Sequence, residues 1–161
     1  MKIKAIEIRK DKETQVIIGH AGFIKTAEDL YEAMSGAVPG IKFGVAFVEA
    51  SGPCLVRSEG NDNELVLSAE KNAKAIGAGH TFVMLFKNAY PINVLNSIKS
   101  VSEVSSIYCA TSNPVKVLVA DLGDGAAVLG VVDGHKAKGI EGPADKSKRR
   151  KLLRDIGYKL G

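Results

Sequence analysis

Tryptophan is absent from this chain of 161 residues, aromatic side chains make up only 6% of it, and cysteine occurs twice. Cys54 and Cys109 stand in apolar surroundings with no C-x-x-C or Cys/His spacing. A disulfide framework is thereby excluded and a zinc site disfavoured, and two buried free thiols are expected. No apolar run approaches the roughly 18–20 residues that span a bilayer. Met1-Lys2-Ile3-Lys4 passes at once into strand-like sequence, with no apolar stretch of the signal-peptide kind. A cytoplasmic protein without membrane contact is the expectation. The usual nucleotide signatures are missing as well: there is no P-loop, no G-x-G-x-x-G after a strand, no kinase catalytic loop and no H-E-x-x-H.

What is present is the composition of one soluble domain, 45% hydrophobic and 25% charged. The formal net charge of +4 is concentrated at the end, where Lys146, Lys148, Arg149, Arg150, Lys151, Arg154 and Lys159 face few acids. A basic surface over the whole molecule is not indicated. Nucleic-acid or partner binding would be confined to Lys146–Lys159, whose simpler reading is a solvated helix.

Period-two alternation marks a strand over residues 2–9, with either a bulge at Ala5-Ile6 or only Ile6 and Ile8 facing the core. Thr14–Gly19 reads as its antiparallel neighbour, because the polar link is short. Thr26 and Asp29 suggest the N-cap of a helix with Ala27, Leu30, Tyr31 and Met34 on one stripe. Lys42–Glu49 and Pro53–Ser58 form a hairpin with Ser51-Gly52 at its tip. Gly60-Asn61-Asp62 opens a helix that Gly77 and Gly79 stop. Then follow an apolar strand (Thr81–Phe86), a short helix after Pro91, a strand over Val104–Ala110, a hairpin of Val115–Ala120 with Ala126–Val132, and a basic helix over Ala144–Leu160. Hairpins mixed among crossovers imply an α/β (α+β) fold: a mixed, largely antiparallel sheet with helices against it.

Small and polar residues gather at the strand ends, as in a small-molecule site, although turns favour the same residues for backbone reasons. His80 is the most informative of them. Glycines precede it and an apolar strand follows, so a phosphate has room to approach the imidazole, itself a competent nucleophile toward phosphorus. The competing reading is a histidine hydrogen-bonded at a helix C-terminus. Glu49 and Asp133 are the best-placed candidate bases, whereas Glu28, Asp29 and Glu32 fall on a solvated helix face. Arg57 suits an anion or simply the outward face of its strand. His20 and His135 read as turn residues with little claim to function.

The strings Phe23–Glu32, Pro39–Gly44, Glu49–Pro53, Gly60–Asp62, Ile76–His80, Pro91–Asn96 and Cys109–Pro114 occur in order. Together they resemble the adenosine-specific kinase family over about residues 2–142. The resemblance implies a core of residues 1–142 followed by a basic helical extension, 143–161. It implies a homotrimer that binds adenosine or AMP, with His80 able to carry a phosphoryl group. Glu49 and Asp133 would then be the bases. Ser51, Gly52, Gly77, Gly79, Asn88, Asn93, Asn96 and Asn113 would line the nucleoside and phosphate pocket. The phosphoryl donor would be ATP or another compound, with or without magnesium and with no metal held by protein side chains. A sensor that keeps its phosphohistidine without turnover is the alternative. At Gly125-Ala126-Ala127 the chain departs from the family's Gly-Arg-Gly, so the arginine that members tend to carry there is not present.

Overall fold

The computed structural model describes residues Met1–Gly161. The element order is β1 (Lys2–Glu7), β2 (Gln15–Ala21), α1 (Thr26–Ala37), β3 (Lys42–Val48), β4 (Val56–Gly60), α2 (Asn63–Ile76), β5 (Thr81–Lys87), α3 (Pro91–Lys99), β6 (Val104–Thr111), β7 (Val115–Asp121), β8 (Ala126–Asp133) and α4 (Pro143–Asp155). The expected class holds, but the strands form two sheets. One has five strands in the order β4-β3-β5-β2-β6, the other three in the order β1-β7-β8. All pairings are antiparallel.

The expected pairing of β1 with β2 is therefore wrong. β1 lies along β7 in the small sheet, while β2 lies between β5 and β6 in the large one. A short link forbids a parallel crossover, but it does not forbid a step from one sheet to another. The register of β1 on β7 is continuous from Lys2 to Glu7, so no bulge is needed. Ile6 and Ile8 meet the core and Ile3 is left outside.

Both faces of the large sheet are covered, which explains why Val16–Ile18 and Thr81–Phe86 are unbroken buried runs. On one face Phe43, Val45, Phe47, Phe82, Met84 and Phe86 pack against Leu30 and Met34 of α1 and Val94 and Ile98 of α3. On the other, Val16, Ile18, Ala46, Val83 and Leu85 meet α2 and the small sheet's Val115, Val117 and Val119. Asn72 of α2 fastens the end of β1: it accepts a hydrogen bond from Arg9 N–H at 2.8 Å and donates to Arg9 O at 2.9 Å.

Three local expectations change. Thr26 is the first residue of α1, not its cap, and Lys25 occupies the cap position with no side-chain bond to the helix's free N–H groups. The basic helix stops at Asp155, short of Leu160, and buries no residue. Cys109 is buried as expected, but Cys54 is exposed in the β3–β4 turn. Burial pushes the Cys109 thiol up to about 11. The native protein should therefore take up one equivalent of a thiol reagent, at Cys54, and a second only on unfolding. Two fast equivalents, counted by absorbance of the released chromophore, would contradict this.

Candidate functional site

His80 lies where α2 gives way to β5. Gly77 ends α2 in the left-handed conformation (φ 64°) and donates its N–H to Ala73 O at 2.9 Å. His80 also has φ of 64°, a conformation unusual for a residue with a side chain. Hydrogen bonds on both sides hold it there. His80 N–H donates to Val48 O of β3 at 2.7 Å, and Ala21 N–H of β2 donates to His80 O at 2.9 Å. Such backbone strain, held by its surroundings, is the kind that collects at functional sites.

The imidazole meets two rings. Phe47 of β3, itself buried, stacks on it with centroids 5.9 Å apart and planes 17° apart. His20 of β2 meets it edge-on, at 5.7 Å and 72°. The expectation that His20 lies in a turn is thus corrected: it is a strand residue, half-buried, beside the leading candidate. Its Nδ1 lies 2.7 Å from Ser105 Oγ, and Ser105 Oγ donates to His20 O at 3.1 Å. Burial first, and the neighbouring His80 second, hold the His20 imidazolium below its ordinary range. His20, Phe47 and Ser105 are the site residues that the chain's local patterns do not reveal. The pairing of β2 with β5 and β6 brings His20 and Ser105 to His80, and the pairing of β3 with β5 brings Phe47.

Glu49, Ser51, Gly52, Gly77 and Gly79 lie at the same end of the large sheet as His80. A cleft of about 450 Å³, within the range of small-molecule sites, is bordered there by Glu49, Cys54, Lys74, Gly77, Gly79 and Ala126. Ala126 is the position where the arginine noted above is not present. Ser51 and Gly52 form the exposed tip of the β3–β4 turn. Glu49 is already engaged. It accepts Leu55 N–H at 2.9 Å and Arg57 Nη2 at 3.1 Å, and these bonds, the backbone one foremost, hold its carboxyl below the usual range. A carboxylate so stabilised is a weak base and a good brace for the turn. Arg57 is thereby an ion-pair partner and not a free anion site.

The other predicted residues lie elsewhere on the chain. Asn88 and Asn93 border a separate cleft of about 430 Å³ with Glu13, Gln15 and Tyr90, beyond the far end of β5. Seven strand residues separate that end from His80, about 20 Å. Asn88 Nδ2 donates to Gly40 O at 3.1 Å, and Asn93 accepts Tyr90 N–H at 2.9 Å. Asn96 is exposed on α3. Asn113 and Asp133 are bonded to each other at 2.9 Å, where β6 ends and β7 begins. Within one chain they form no pocket with His80.

No helix is long and apolar enough to cross a membrane. Among known proteins, the crystal structure of the PH1918 protein from Pyrococcus horikoshii OT3 is similar over 99% of both chains, with 53% identity and a TM-score of 0.95. No curated protein matches. The family described as adenosine specific kinase matches residues 6–159, a span that takes in the basic helix α4 as well as His80. The chain belongs to the adenosine specific kinase family.

Proposed function

We propose that the protein is an adenosine kinase that works through a phosphohistidine at His80. The carrying observation is the His80 ring, held in a strained backbone position against Phe47 and His20, next in the chain to Gly79 of the cleft. Family membership supplies adenosine as the acceptor. An unprotonated ring nitrogen of His80 attacks the terminal phosphorus of ATP or another donor, and the bond to the leaving oxygen breaks. The 5′-hydroxyl of adenosine then attacks the phosphoryl group and AMP leaves. Lys74 and Gly79 border the space that the phosphoryl oxygens would occupy, and the Gly77 N–H is already bonded to Ala73 O. Magnesium would enter with the donor's phosphates, its usual mode of binding. Glu49 braces this end and Ser51-Gly52 borders the entrance. Asn88, Asn93, Asn96, Asn113 and Asp133 would reach an adenosine only from another subunit, which fits the proposed homotrimer. The proposed location is the cytoplasm.

Intact-mass measurement tests this, before and after mild acid, on protein incubated with labelled ATP and adenosine. An acid-labile gain of one phosphoryl group at His80, with AMP accumulating over many turnovers, is expected. Labelled protein without AMP would replace the kinase by a sensor. Absence of both would refute the proposal.

A further inference from the structure

His20 has a defined hydrogen-bonding state. A serine hydroxyl carries one hydrogen, and Ser105 spends it on His20 O at 3.1 Å. The 2.7 Å contact between Ser105 Oγ and His20 Nδ1 then requires the ring to donate. That pairing corresponds to the Nδ1–H tautomer of His20, which leaves a lone pair on Nε2 that no protein donor occupies. Burial and the neighbouring His80 both favour the neutral ring. Of the other charged groups at this end, Lys74 and Asp124 border the cleft without an ion-pair partner and the rest are committed among themselves. Glu49 bonds Arg57, and Lys25 lies 3.4 Å from Glu103 and 2.5 Å from Asp29.

We infer that His20 is the proton relay for His80, taking the ring proton that phosphorylation makes acidic and returning it for transfer. The inference rests on the phosphohistidine reading. When one nitrogen of neutral His80 bonds to phosphorus and the donor's leaving oxygen departs, the ring becomes an imidazolium with its proton on the other nitrogen. The two rings meet edge-on at a centroid separation of 5.7 Å, a reach that a proton crosses directly or through one water. The proton passes to His20 Nε2, leaving a neutral phosphoimidazole, which resists hydrolysis, beside a cationic His20. On adenosine binding the proton returns and restores the better leaving group. The 5′-oxygen bonds to phosphorus, the N–P bond breaks, and the hydroxyl proton goes to solvent. Ser105 is a positioning residue: it fixes which nitrogen of His20 is free.

The test compares the full-length wild type with His20→Gln, Ser105→Ala and Ser105→Thr. Formation of acid-labile phosphoprotein from ATP is followed by intact mass between pH 5 and 9. His20→Gln should slow formation about 100-fold at neutral pH. Its acid limb should show one proton where the wild type shows two, since His80 alone must then be neutral. Ser105→Ala, at an exposed position, should lower the rate in the same direction without unfolding the protein, and Ser105→Thr should restore it. A wild-type rate and profile in both His20→Gln and Ser105→Ala would overturn the relay while leaving the phosphohistidine intact. A wild type that never gains the phosphoryl group would remove the phosphohistidine reading and the relay with it.

Discussion

Replacing His80 by asparagine should cut AMP formation at least about 1,000-fold, abolish the acid-labile label, and leave adenosine affinity within a few-fold. Asparagine is chosen because His80 has φ of 64°. Asparagine tolerates left-handed backbone, whereas a residue such as valine would add strain and confuse lost chemistry with lost fold. The backbone bonds to Val48 and from Ala21 do not depend on the side chain and should persist. Glycine in the same place would relieve roughly 1–2 kcal/mol of left-handed strain while giving up the contact with Phe47. It should therefore melt close to the wild type and be equally inactive. Turnover of labelled adenosine, paired with a thermal melt, separates the two effects. Sustained AMP production by a well-folded His80→Asn protein would leave direct transfer from the donor as the mechanism.

The contrast with Phe47 sharpens the assignment. Phe47 is 1% exposed and belongs to the aromatic core under α1 and α3. Substitution there disturbs fold and site together. His80 is only half-buried, with its ring centroid 5.9 Å from that of Phe47, so it can be changed with less structural cost. A side chain that the fold does not need, held in a conformation that the backbone resists, is best explained by chemistry.

Local pattern made most of the elements legible. α2 was readable because Asp62 accepts Leu65 N–H at 3.0 Å as its cap and Gly77 ends it, both local devices. The β3–β4 and β7–β8 hairpins were readable because their turns are short and glycine-bearing. Long-range pairing was not: nothing in residues 2–21 says that β1 belongs with β7, more than a hundred residues later. The site shows the same limit. His80 stands out through its glycine neighbours, but polar residues collect at both ends of a strand for the same turn chemistry. Hence Asn88, Asn113 and Asp133 resembled Glu49 and Ser51 in the sequence, although the strands point them to the other end. His20 was hidden for the converse reason. Gly19 and Gly22 make its surroundings look like a turn, yet β2 continues through it to Ala21.

Gly44→Ala should be among the most damaging single-methyl additions to this chain, costing about 3–5 kcal/mol. Gly44 sits mid-strand in β3, between Gly60 of β4 and Leu85 of β5, where strand propensity alone would favour almost any other residue. The reason for glycine is α2, which crosses directly over it. A Cβ built there would lie 2.3 Å from Val66 N, 2.4 Å from Leu65 C and 2.5 Å from Leu65 O. All three are backbone atoms, so no rotamer change relieves the clash, and either β3 or the helix must move. Moving α2 loosens Leu65, Ala69, Ala73 and Ile76 from the core. It also displaces the far end of the same helix, where Gly77 leads into His80. Against a total stability of typically 5–15 kcal/mol, the melting temperature should fall by roughly 10 °C or more. Adenosine turnover should fall with it even below the transition. Gly36→Ala is the control, because it lies in the last turn of α1 with nothing within 4 Å of the added carbon. Helix propensity there predicts a gain of about 0.5–1 kcal/mol. Calorimetric scans of the two variants beside the wild type decide the matter. If Gly44→Ala melts with the wild type, the close approach of α2 to β3 is not what holds the His80 end in place.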